Sequence, residues 1–162
     1  MTPEQRIAAE RARRGGPALI ADCVALLEGR PDDVDDRLIT VLGGDAAQHV
    51  IDGGEGGRSG YWPRVWAARG LLHAWPDPDP DSAADVNAAD ANPAGSEDAA
   101  TAAIIGALGD PRWRVREMAA KVIAAHRVGQ ALDAVAALRA DPVPRVRAAA
   151  ERAVVLLTAH SA

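Results

Sequence analysis

The sequence predicts an all-α protein, built as a short α-solenoid of stacked antiparallel helix pairs. Three observations predict it. Alanine-rich segments with no Phe and a single Tyr favour helices over sheets. Apolar residues recur at helical spacing, as in Val115, Met118, Ala119, Val122 and Ile123. One stretch of chain also repeats itself 31 residues later, a period typical of stacked helical units.

The repeat is explicit in the C-terminal third. Asp110-Pro111-Arg112-Trp113-Arg114-Val115-Arg116 returns as Asp141-Pro142-Val143-Pro144-Arg145-Val146-Arg147. Each copy opens a second helix and follows a first one, marked by Ile104, Ile105 and Leu108 or by Leu132, Val135 and Leu138. The Asp-Pro turn separates the two, because the residue before Pro is driven out of the helical region. A weaker copy lies upstream, where Arg64-Val65-Trp66 matches Arg114-Val115-Arg116 at a displacement of 50. Its first helix carries Val34, Leu38, Ile39, Val41 and Leu42 and is stopped by Gly43 and Gly44. Helices over 3–14 and 17–28 precede these, the first opened by Thr2-Pro3-Glu4-Gln5 as a capping box. Residues 1–30 are therefore expected to cap the stack; since Ile7 alone gives the first helix a large apolar side chain, a loose basic arm is the alternative for that helix.

The whole chain, 1–162, reads as one domain with an insertion at 76–99, which is acidic, rich in Pro and Ala, and poor in core side chains. The net charge of −5 hides this division. Seven acidic and no basic residues fall within 77–100, whereas 101–162 carries nine basic and five acidic ones. A disordered surface loop is expected at the insertion, either a passive acidic linker or a tethered segment that masks nearby cations.

With an Asp-Pro turn followed by Val-Arg between paired helices, the chain resembles HEAT repeats of the phycobilisome-lyase type. The likeness is strong over 98–159 and weak over 31–75. It implies a right-handed superhelix in which the turn Asp and the Arg six residues later, here Asp110 with Arg116 and Asp141 with Arg147, join neighbouring repeats in a ladder. Gly60 and Trp66 occupy those positions upstream, so the ladder is expected to stop there. Such families include adaptors, scaffolds, lyase subunits and DNA-repair glycosylases, and the resemblance fixes no activity.

The expected function is binding of another protein or a peptide, without enzymatic activity. Taking Val115 as inward places Trp113, Glu117, Ala120 and Ala124 on the inner helical face, followed by Ala67, Gly70 and Ala74 on one neighbour and Ala148, Glu151 and Val155 on the other. Small residues there either suit a docked segment, with Trp113 as anchor and Glu117 beside it, or are merely good helix formers in an alanine-rich chain. The alternative is that Trp113 tucks into the turn beside Pro111. Trp62, Trp66, Arg69 and His73 share a second stripe. They either hold a planar or anionic ligand or fill a repeat interface, with Arg69 paired to Asp45, Asp52 or Glu55. A third stripe, Arg64, Arg114, Lys121, Arg145 and Arg152, suits nucleic acid or another polyanion, or is simply a solvated flank.

Other classes find no motif. Gly53 to Gly60 lacks the Lys of a phosphate-binding loop and reads as a flexible connector. Asp77, Asp79 and Asp81 begin a calcium-loop pattern that Ser82 and Ala88 break. The four His residues have no ligand spacing, so neither a metal nor a cofactor is expected. Cys23, the single cysteine, sits at helical spacing among Leu19, Ile20, Val24 and Leu27 as a buried thiol. With no membrane-length apolar run and no apolar signal core, a cytoplasmic protein is expected.

Overall fold

The computed structural model describes residues 1–76 and 95–159, which form nine α-helices and short 3-10 turns with no strand among them. In order they are α1 (Pro3–Arg14), α2 (Gly16–Leu27), α3 (Asp36–Gly43), α4 (Ala47–Ile51), α5 (Tyr61–His73), α6 (Glu97–Ala107), α7 (Trp113–His126), α8 (Leu132–Ala137) and α9 (Pro144–Thr158). Helices α5, α7 and α9 pack side by side. Behind them, α3 lies on α5, α6 on α7 and α8 on α9.

The N-terminal pair does more than cap. Helix α2 packs along α5 and also meets α6, while α1 lies on α3. The expected capping box is present, with the Gln5 N–H donating to Thr2 Oγ1 and the Thr2 N–H to Gln5 Oε1. Fully buried Ile7 and buried Glu10 hold α1 in place. The Glu10 carboxylate pairs with Arg13 at 2.6 Å and Arg37 at 3.4 Å, and the Arg13 hydrogen bond lowers its pKa.

Two bidentate ion pairs cross between the long helices. Arg116 Nε lies 2.8 Å and Nη2 3.2 Å from the Asp141 carboxylate, and Arg64 reaches Asp110 at 2.7 and 3.3 Å in the same way. Each Asp also accepts the N–H two residues on, from Arg112 or Val143, which shapes the turn. Arg116 and Arg147 donate to the carbonyls of Asp110 and Asp141, bracing each turn from its own helix.

The ladder therefore continues upstream, against expectation, and the reason is register. Arg64, Arg116 and Arg147 are each the fourth residue of their helix. The upstream copy is thus displaced by 52 residues rather than 50, and Trp66 falls into the core. On this count Arg58 stands where Asp110 and Asp141 stand. It donates to the carbonyls of Pro31 and Val34 and pairs with Asp36 at 3.0 Å, tying the glycine-rich connector to the start of α3.

The small-residue face is largely interior. Ala67, Gly70, Ala74, Ala120 and Ala124, expected on the open inner helical face, are buried because the long helices have neighbours on several sides. A Cβ at Gly70 would come 2.8 Å from Cys23 Sγ and 3.0 Å from Leu42 Cδ2, so only glycine admits this approach of α5 to α2 and α3. The same enclosure pushes the Cys23 pKa up to about 12. Only on α9, which no later described helix covers, do Ala148, Glu151 and Val155 stay exposed.

Both ends of the expected insertion 76–99 are structured. Pro76 is buried, Gly95 sits on Pro17, and Ser96 caps α6 by accepting the Ala99 N–H at 3.2 Å. Residues 77–94 lie outside the described residues. Replacing 78–93 by a Gly-Ser linker of equal length should leave the Tm within about 2 °C. Extending the replacement to 97 should remove the α6 cap and lower the Tm by about 2–4 °C, the shift that loss of ~1 kcal/mol causes at this size.

Arg64→Ala and Arg116→Ala should each destabilise the fold by about 1–3 kcal/mol in urea titrations, since each leaves a largely buried carboxylate unpaired. The Arg116 hydrogen bond, followed by that of the Val143 N–H, lowers the Asp141 pKa. A depressed carboxylate pKa stabilises the fold above the unfolded value of ~3.9 and loses that contribution as pH falls through the folded value. Arg116→Ala should therefore flatten the loss of stability below about pH 4.

Candidate functional site

Helices α7 and α9 leave an open groove of about 630 Å³ between them. Glu117, Lys121, Ala124 and Ala125 line it from α7, and Arg145, Ala148, Ala149, Arg152 and Leu156 from α9. Both sets run at spacings of three and four residues, so each helix contributes one continuous stripe. The floor is alanine and leucine. The rim is charged, with three cations to one carboxylate.

Glu117 organises that rim. Its side chain is 13 % exposed, and Oε1 lies 3.0 Å from Lys121 Nζ and 3.5 Å from Arg145 Nε. Arg152 is exposed and makes no ion pair among the described residues. The lining supplies apolar contact and positive charge, without a hydroxyl, thiol or imidazole among its side chains.

An aromatic edge adjoins the groove at the starts of α5, α7 and α9. The half-buried Trp113 ring carries the Arg114 guanidinium at 4.5 Å and that of Arg145 at 5.6 Å. Arg114 also lies 5.6 Å from the Trp62 ring, which stacks on Tyr61 and Trp66. Arg112 covers Tyr61 at 5.2 Å. The corrected register accounts for this column, because Trp62, Arg114 and Arg145 are the second residues of three adjacent helices.

The structure redistributes the residues that the sequence singled out. Glu117, Lys121, Arg145 and Arg152, which had belonged to rival sites, line one groove. Trp113, Trp62 and Arg114 form the adjoining edge. Arg64 is engaged with Asp110 and leaves the basic stripe. Trp66 is 4 % exposed and so close to Gly43 that a Cβ there would lie 2.6 Å from the indole. Arg69 pairs with none of Asp45, Asp52 or Glu55; it donates to the Leu42 carbonyl at the end of α3, where the helix dipole favours a cation. Burial, then repulsion from Arg6, lowers its pKa. His73 lies half-buried one turn further along α5.

Several contributors escaped the sequence reading. Tyr61 and Arg112 belong to the edge, and the signal was their position immediately beside Trp62 and Trp113. Trp75 stacks on His126 at 5.1 Å, and His126 Nε2 lies 2.9 Å from the Leu72 carbonyl, joining the ends of α5 and α7. Among the described residues no cluster of His, Cys, Asp and Glu has the makings of a metal site. No described helix is long and apolar enough to cross a membrane.

The tryptophans divide into structural and available ones. Trp66→Ala should cost about 3–5 kcal/mol in urea denaturation, the range for emptying a core indole. Trp113→Ala should cost less than about 1 kcal/mol, as surface changes do.

No family model matches this chain, and comparison with curated proteins and with solved structures finds no match either.

Proposed function

We propose that the chain is a non-enzymatic HEAT-like α-solenoid that docks a segment of another protein in the α7–α9 groove. The carrying observation is the groove itself, with a floor of Ala124, Ala125, Ala148, Ala149 and Leu156 under a rim of Lys121, Arg145 and Arg152. Small side chains let a partner backbone come close, and the cations favour an occupant with acidic flanks. The Asp-Pro turns and the repeated Arg–Asp pairs support the solenoid assignment. A cytoplasmic setting is part of the same reading.

Nucleic acid or another polyanion is the second reading, favoured by exposed Arg114, Lys121, Arg145 and Arg152. It is weakened by the engagement of Arg64. The apolar floor is what separates the two, since phosphates gain nothing from it.

A 16-residue helical peptide with a leucine face and Glu flanks, and its Lys-flanked counterpart, test the proposal. The Glu form should bind, shifting the amide signals of Ala125, Ala148 and Leu156, while the Lys form should not. Ala148→Trp, at an exposed position, should abolish binding with the helical circular dichroism retained. Arg152→Glu should weaken it about tenfold, equivalent to ~1.4 kcal/mol. Failure of the Glu form to bind, or binding indifferent to both substitutions, overturns the proposal.

A further inference from the structure

The groove rim does not end at α9. Arg145 lies at once on the Trp113 ring and beside Glu117, so it belongs both to the groove and to the aromatic edge. Beyond it along the edge, Arg114 and Arg112 are exposed, and neither forms an ion pair among the described residues. Aromatic faces orient both guanidiniums, which limits the rotamer freedom that exposed arginines ordinarily lose on binding.

From this arrangement we infer that the Arg112–Arg114–Arg145 edge is a second subsite, which takes a run of carboxylates continuing from one end of the segment docked in the groove. The inference rests on the docking proposal and names the chemistry of its partner.

Three considerations select carboxylates on a polypeptide. A guanidinium lying on a ring keeps its N–H fork free, and that fork matches a carboxylate bidentately. Each ring of the edge already has at least two stacking partners: Tyr61 has Trp62 and Arg112, Trp113 has Arg114 and Arg145, and Trp62 has Tyr61, Trp66 and Arg114. Stacked bases, the usual basis of single-strand binding, would have to compete with these partners. Finally, Arg145 makes the edge continuous with an apolar floor, so one extended polypeptide can use both.

The test uses the intact chain and the Glu-flanked peptide, with or without a hexaglutamate extension at either end. At about 20 mM salt the extension at one end should raise affinity about tenfold, the sum of several exposed ion pairs. At 0.5 M salt the gain should shrink to less than about twofold through screening. The double variant Arg112→Gln/Arg114→Gln should lose the gain while binding the unextended peptide as wild type does. A gain at neither end, or one that persists in the double variant, overturns the inference and leaves the groove standing. Tighter binding of a thymidylate 12-mer than of the extended peptide, lost in the double variant, overturns it in favour of a phosphate polymer. If the unextended peptide does not bind at all, the docking proposal and the inference fall together.

Discussion

The bidentate pairing of a guanidinium on one long helix with the turn aspartate before the next sets much of the rest. An aspartate that is 4 % exposed, as Asp141 is, is tolerable only when its charge is matched and its lone pairs are used. Arg116 supplies the charge, and the Val143 N–H takes a further lone pair. The same carboxylate thus fixes the turn that starts α9 and the position of α9 against α7. Arg64 and Asp110 repeat the arrangement between α5 and α7. Because each pair is geometrically strict, the starts of the three helices are held level, and that alignment brings Trp62, Arg114 and Arg145 into one column.

Packing inside the stack is governed by small side chains. Gly70, Ala67 and Ala120 let helices approach closely, so a face that looks like an open floor in the sequence is consumed wherever a further helix arrives. Helices α7 and α9 also touch, with Ala124 and Ala149 buried, but Ala125 and Ala148 stay exposed along the groove between them. One residue pattern therefore has two fates, decided by whether a neighbour is present.

Charge follows the same logic. Arginines such as Arg58, Arg64 and Arg69 bind carbonyls or carboxylates of the fold. Arg114 and Arg145 are instead held by the Trp113 indole, Arg145 also by Glu117, and both stay exposed. Burying a cation's stem while leaving its N–H groups free is a way to pre-organise a binding surface without destabilising the fold.

The sequence by itself determined the helices other than α4, with the Thr2 cap and the Asp-Pro turns, because these depend on neighbours within a few residues; the Ser96 cap it missed. The Thr2 to Gln5 box, the Asp-Pro turns and buried Cys23 were all legible. It also identified every charged residue of the groove, though in separate groups. Only the tertiary structure decided which of them meet. A two-residue difference in where a helix begins turns a side chain by about 200°, so aligning Trp66 with Arg116 by local similarity hid the true equivalence of Arg64. Periodicity likewise reports which residues share a face of a helix, but not how many helices will cover that face. Those outcomes depend on the rotation and spacing of helices far apart in the chain, set by close contacts such as Gly70 with Cys23, and no local pattern encodes them.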